Sequence, residues 1–248
     1  MKTAPMRRKR LPPSSHILFQ GNTFKEIQQK IPEEVQICLY VNGKELTTLM
    51  CSPEYLDELA LGFLRSEEII SRLEDIASLT ISKEQTCVDV WLNKPLTDMP
   101  SHRITTTGCG AGVTFDDLLK ERQPLALSTS IQPQQIGELI DKLYQSAEQY
   151  QETRGVHTAA LSDGEELLIV TEDIGQHNTI DRMWGKAMKQ GITTQDRILL
   201  STGRITREII GKAAKAEIPI IISRTAPTSI SVALARAWNI TIIGYAQK

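Results

Sequence analysis

Between Ser101 and Thr114 the chain reads SHRITTTGCGAGVT, with Cys109 held between Gly108 and Gly110 and Gly112 just beyond. No apolar period runs through this stretch, and its glycines leave the backbone unusually free. A cysteine is more often a small buried hydrophobe than a reactive group, but these neighbours offer it almost nothing apolar to be buried with. Cys109 is therefore the first candidate for chemistry, and three kinds compete for it. A zinc deaminase needs a His or Cys ligand, a paired-cysteine motif and a Glu in H-x-E; the chain has His177-Asn178-Thr179 and no PCxxC. A Cys–His hydrolase needs its nucleophile fixed beside a helix start, with His157 or His177 as base, and a glycine-rich loop orients a thiolate poorly. A sulfur carrier needs a reachable thiolate and loop freedom, and it fits best. His16 and His102 are too weakly placed to be assigned a role, although His102 and Arg103 could help ionise a nearby Cys109.

A second set of candidates lies at three strand-to-helix junctions. The first runs from Glu172 through Asp173, Gly175, His177 and Asn178 to Asp181 and Arg182. The second is Ser201-Thr202-Gly203-Arg204, and the third is Ser223-Arg224-Thr225-Ala226-Pro227-Thr228-Ser229. Hydroxyls, backbone N–H groups and arginines at helix starts suit a phosphate or another anion. Any one junction alone reads as plain capping. Three in succession, all expected where strands end and α/β ligands collect, predict a nucleotide-like or pyrophosphate-bearing ligand. His177, at a helix start, is biased toward its neutral form and suits a ligand contact. His157 falls inside a strand and is at least as readily a core or sheet-edge imidazole.

The elements that must carry these groups follow from periodicity. Val35 to Val41 alternates as a half-buried strand, Asn42-Gly43 turns it, and Lys44 to Met50 returns. Ser52-Pro53 opens a helix with Ser as cap, and Leu56, Leu59, Ala60, Phe63 and Leu64 share one face. Ile76 to Ile81 and Cys87 to Leu92 form another strand pair, and Phe115 to Lys120 a short amphipathic piece. Ile131 to Tyr150 reads as one helix. Strands at Val156 to Leu161, Leu167 to Thr171, Ile198 to Ser201, Pro219 to Ser223 and Ile240 to Tyr245 then alternate with helices at His177 to Gln190, Thr206 to Ala216 and Thr228 to Trp238. That alternation predicts an α/β sheet covered on both faces. The division expected is a disordered basic arm (1–30), a smaller strand-rich N-terminal domain ending in the Cys109 loop (31–115), and an α/β domain (125–248).

Composition sets outer limits. The 248 residues are 40% hydrophobic and 23% charged, with a formal net charge of −2, ordinary globular values that give no global field for nucleic acid or an anionic membrane. The basic run Met6 to Arg10 lacks the apolar stretch of an export signal, and no window approaches ~18 apolar residues. Four cysteines without CxxC pairing predict reduced thiols in a cytoplasm, with Cys38, Cys51 and Cys87 structural.

TTTGCGAG (105–112), GVHTAAL (155–161), EDIGQHNTIDR (172–182), STGRIT (201–206) and SRTAPTS (223–229) resemble, in order, the motifs of the FdhD/NarQ family, and 41–70 is similar to its N-terminal part. The similarity runs from about Val35 to Ala246. It implies a sulfurtransferase that takes persulfide sulfur from a cysteine desulfurase. The sulfur passes to the molybdenum cofactor, in its bis-molybdopterin guanine dinucleotide form, for maturation of an apo formate dehydrogenase. It also implies a homodimer and a cytidine-deaminase-like mixed sheet without zinc. Carried over by position, Cys109 matches the persulfide cysteine. The guanine dinucleotide pocket, which GDP would mimic, would draw on Asp173, Gly175, His177, Asn178, Asp181, Ser201, Thr202, Gly203, Arg204, Arg224, Pro227, Thr228 and Ser229, with Tyr245, Ala246, Gln247 and Lys248 from the tail. Two departures stand out. Many relatives have CxxC where this chain has Cys109 and Gly112, and the family's basic tail is shortened here after Gly244-Tyr245. Both keep open a second function, a cofactor-holding chaperone without sulfur chemistry.

Overall fold

The computed structural model describes residues 14–94, 104–105, 113–114, 122–126 and 129–247. Cys109, His102, the 115–120 piece and Lys248 lie outside the described residues. The chain opens with β1 (Ser14–Gln20) and β2 (Thr23–Gln29), an antiparallel hairpin turned at Gly21, whose φ is 60°. Residues 14–29 are thus paired strands, which corrects the expectation of a disordered arm reaching residue 30. Phe19 meets Phe24 across the strands with ring centroids 4.9 Å apart, a cross-strand pair that supports the register of two otherwise exposed strands.

β3 (Val35–Val41), β4 (Lys44–Cys51), β5 (Ile76–Ile81) and β6 (Cys87–Leu92) form a four-stranded sheet in the order β4-β3-β6-β5. Ile37, Leu39, Val41, Val88 and Val90 turn inward onto α1 (Leu56–Ser66). Ser52 does not cap this helix. Tyr55 does so in a left-handed conformation, without a side-chain cap bond, because Ser52 is engaged elsewhere. The short strands β7 (Ile104–Thr105) and β8 (Val113–Thr114) pair antiparallel on either side of the Cys109 segment.

α2 (Pro133–Ser146) and α3 (Glu148–Thr153) replace the single helix expected over 131–150. The break falls at Ala147, where ψ is 74°. Beyond it the Glu172 carboxylate accepts from Gln149 N and Tyr150 N, both at 2.8 Å, and so starts a second helix. β9 (His157–Ser162), β10 (Leu167–Asp173), α4 (Gln176–Gln190), β11 (Ile198–Ser201), α5 (Arg207–Lys215), β12 (Ile220–Ser223), α6 (Ser229–Ala237) and β13 (Thr241–Ile243) complete the chain. Their sheet has the order β10-β9-β11-β12-β13, with β9 antiparallel to both neighbours and the β11-β12-β13 pairs parallel. Alternate residues face opposite cores: Ala159, Leu161, Leu199 and Ile221 meet the α4–α6 side, and Ala160, Leu200 and Ile222 meet α2. The mixed α/β class expected from the periodicity is what the chain adopts.

The two sheets are joined through α1 and α4. An added Cβ on Gly62 would lie 1.6 Å from Asp181 O, and one on Gly185 would lie 1.9 Å from Glu58 O. The helix backbones therefore touch, and only glycine permits that approach.

Candidate functional site: a cleft at the strand ends

Because β9 runs against the others, its first residues share an edge with the carboxyl ends of β10, β11 and β12. A cleft of about 520 Å³ opens there, lined by Tyr144 and Tyr150 from α2 and α3, by Arg154, Val156 and His157, and by Ile174, Thr202, Arg224 and Thr225 at the strand exits. The Arg224 guanidinium lies 5.0 Å from the Tyr144 ring centre and that of Arg154 lies 5.1 Å from Tyr150. The two rings meet edge to face at 5.7 Å. Both arginines remain solvent-exposed, so each is steadied over an aromatic ring while keeping N–H donors for a ligand. Two aromatic rings and two guanidinium groups suit a planar base with phosphates.

Each wall has a local cause. The turn at Ala147 brings Tyr150 back toward Tyr144, and Glu172 pins α3 through its first N–H groups. Arg154 ends α3 in the left-handed region at φ 56°. Thr202 is fixed to β9 by two bonds, Thr202 N to Thr158 O and Thr158 N to Thr202 Oγ1, each 3.0 Å. The Ser223 hydroxyl accepts from Thr225 N and holds the third wall. Burial lowers the His157 pKa; Asp173 opposes that shift and Arg204 adds to it. His157 thus presents a neutral imidazole at ordinary pH.

The structure brings Thr202 and Arg224 of the expected residues into the cleft. Others are used differently. Fully buried Asp173 accepts from Gly175 N at 2.8 Å, Asn178 Nδ2 at 2.8 Å, Ser52 N at 3.1 Å and Arg182 Nε at 2.7 Å. Asn178 also donates to Met50 O, and Arg182 donates to the carbonyls of Ser52, Glu54 and Tyr55. Asp173, Gly175 and Asn178 therefore form a latch that ties β10 and α4 to the segment before α1. This is the engagement that removes Ser52 from capping, its hydroxyl accepting from Ile174 N.

His177 and Asp181 face α5 rather than the cleft. The Lys212 ammonium binds both Asp181 oxygens at 2.6 Å, and His177 Nδ1 lies 3.3 Å from Glu208 Oε1. Burial acts to lower the Lys212 pKa, but Asp181 and Glu208 outweigh it and hold the ammonium above its ordinary value. Burial and then Lys212 press the His177 pKa down to about 3, so the ring is neutral. The neutral ring expected for His177 from its place at a helix start is produced here by burial and then by Lys212. Ser201 accepts from Gly203 N, and Gly203 packs on Gln176, where an added Cβ would lie 2.1 Å from Gln176 Cδ. The Arg204 side chain is exposed and its carbonyl accepts from Gln176 Nε2. Thr228 caps α6 through Ser231 N, Ser229 is exposed, and Pro227 packs beneath Gly244. In the tail, Tyr245 N and Ala246 N donate to Thr225 O and Ser223 O. Tyr245 is 67% exposed, Gln247 is exposed, and the tail runs beside the third wall. Tyr144, Tyr150 and Arg154 were missed because on a helical wheel they read as packing and a solvated charge.

Among the described residues no group of three or more His, Cys, Asp or Glu is arranged to hold a metal ion. No described helix is long and apolar enough to cross a membrane.

Comparison with known proteins gives the cleft a context. The model of the FdhD/NarQ family matches residues 32–248. A Staphylococcus aureus protein named sulfur carrier protein FdhD is 36% identical over 231 residues, covering 91% of this chain and 86% of that one. A Listeria monocytogenes protein of the same name is 35% identical over 238 residues, covering 92% and 90%. The crystal structure of a protein described as a formate dehydrogenase accessory protein, from Desulfotalea psychrophila, superposes with a TM-score of 0.74 at 23% identity, covering 94% of this chain and 91% of that one; it bears on the fold. With the family model matched from residue 32 to the last residue and more than a third of positions shared with such relatives, the chain belongs to the FdhD/NarQ family.

Proposed function

We propose that the chain is a cytoplasmic sulfur carrier for formate dehydrogenase maturation, with Cys109 as the sulfur-bearing residue. Cys109 thiolate takes the outer sulfur of a cysteine desulfurase persulfide, releasing the desulfurase thiolate and leaving a persulfide on Cys109. The acceptor is the molybdenum cofactor in its bis-molybdopterin guanine dinucleotide form, bound as cargo. Its guanine nucleotide occupies the strand-end cleft, where Tyr144 and Tyr150 offer rings to the base and Arg154 and Arg224 offer donors to the pyrophosphate. The observation that carries this reading is the pair of arginine–tyrosine stacks at the carboxyl ends of β10, β11 and β12 in a chain whose relatives are named sulfur carriers. A sheet ordered second-first-third-fourth-fifth, with helices on both faces, supports the cytidine-deaminase-like architecture, and a homodimer is the assembly proposed. With Gly112 three residues after Cys109, no second thiol stands at that position, but one sulfur suffices for carriage.

GDP titration by calorimetry tests the cleft. Wild type binds, and Tyr144→Ala and Arg224→Ala each weaken binding by about tenfold or more, the scale of one lost stacking or charge-assisted contact. Unchanged affinity in both variants would place the nucleotide elsewhere. A Cys109→Ser chain that still supports formate dehydrogenase activity in cells would favour the cofactor-holding chaperone.

A further inference from the structure

The outer face of the N-terminal sheet carries two thiols side by side. Inward alternation of Ile37, Leu39, Val41, Val88 and Val90 leaves Cys38, Tyr40, Cys87 and Asp89 on the other face. β3 and β6 pair in parallel with Cys38 opposite Cys87 and Tyr40 opposite Asp89. Neighbouring strands lie about 4.8 Å apart, inside the roughly 4.4–6.8 Å between Cα atoms that a disulfide spans. Both cysteines are free and only half-buried.

Their surroundings differ from those of Cys51, which is buried and whose thiol is pushed up to about 12, chiefly by that burial. Cys38 Sγ touches Thr48 Oγ1 at 3.7 Å, and Cys87 Sγ touches Thr86 Oγ1 at 3.8 Å. These are long polar contacts on a half-buried face. The Tyr40 phenol is held above its ordinary pKa first by the Glu45 carboxylate, then by burial, then by Cys38 and Cys87. Tyr40 lies two residues along β3 from Cys38, on the same face as both thiols. The sequence separates them by two strands and a helix, with no motif, so each alone reads as structural; only the register makes them a pair.

We propose that Cys38 and Cys87 are a redox-active dithiol that closes to a disulfide by exchange with a low-molecular-weight disulfide. One protein thiolate attacks a sulfur of the small disulfide, forming a mixed disulfide and expelling one small thiolate. The second protein thiolate then attacks the protein-side sulfur, forming the Cys38–Cys87 bond and expelling the other small thiolate. Two protein thiols are oxidised and one small disulfide is reduced to two thiols. The second step is favoured because register already holds the attacking sulfur beside its target.

Because both sulfurs are only half-buried, the bond stays open to attack by small thiols and is readily reduced, the behaviour of a regulatory rather than a structural disulfide. It would staple the two central strands of the sheet that backs α1. The oxidised chain should resist unfolding more than the reduced one.

The test is exposure of the full chain to oxidised glutathione, alkylation of remaining thiols, and peptide mapping by mass spectrometry. The expected result is a linked Cys38–Cys87 peptide, two hydrogens lost, no retained glutathione on either residue, and a Tm that rises and returns with dithiothreitol. Cys38→Ser and Cys87→Ser should each retain a glutathione adduct at the surviving partner. Separate adducts on both residues of wild type, unmodified Cys38 and Cys87, or a linkage from either to Cys109 would overturn the proposal.

Discussion

His177 shows how far a residue's chemistry depends on what surrounds it. Its ring sits at the start of α4, beside Glu208 and near Lys212, and burial with that ammonium presses its pKa from 6.5 to about 3. The unfolded chain takes up a proton at His177 near pH 6.5, whereas the folded chain does not until about 3. His177 therefore makes stability fall as pH drops through that window, by at most ~1.4 kcal/mol per pH unit. Denaturation midpoints measured from pH 7 to pH 4 should fall less steeply for His177→Gln than for wild type. Equal slopes would show that His177 is not the group that resists protonation. The three polar junctions were legible in sequence as strand exits, and Thr202 and Arg224 do line the cleft. Asp173 and Asn178 were not separable from them, because a carboxylate that binds a ligand and one that accepts four internal donors look alike in a linear chain.

At the scale of elements, periodicity located most strands and helices to within a few residues. It missed the break at Ala147, because Tyr144, Ala147 and Tyr150 keep an apolar rhythm whether or not the helix continues. What divides the helix is Glu172, a residue from a different element. Glycines were similarly silent about their partners. Gly62 and Gly185 allow α1 and α4 to touch, while an added Cβ on Gly211 of α5 meets nothing within 4 Å. Gly62→Ala and Gly185→Ala should each destabilise the chain by at least ~1–3 kcal/mol through overpacking. Gly211→Ala should be neutral or stabilise by up to ~1 kcal/mol through helix propensity. Urea denaturation of the three variants checks the contrast, and comparable losses in all of them would contradict it.

Across the whole molecule, the N-terminal sheet is bound to the α/β sheet by contacts invisible to any local pattern. The buried Asp173–Arg182 pair reaches the carbonyls of Ser52, Glu54 and Tyr55, and the helix crossing lies beside it. Arg182→Met would leave the Asp173 carboxylate buried without its ionic partner. Breaking such a pair costs ~3–5 kcal/mol, which calorimetric unfolding would read as a large drop in Tm; a small change would mean the latch contributes little. The latch fixes the strand exits that form the cleft. The proposed passage of sulfur through Cys109 is tested directly by one measurement. Incubation with a cysteine desulfurase and cysteine, followed by intact-mass and peptide analysis, should show one added sulfur on Cys109 that is lost in Cys109→Ala. An unmodified wild type, or an added sulfur that persists in Cys109→Ala, would contradict it.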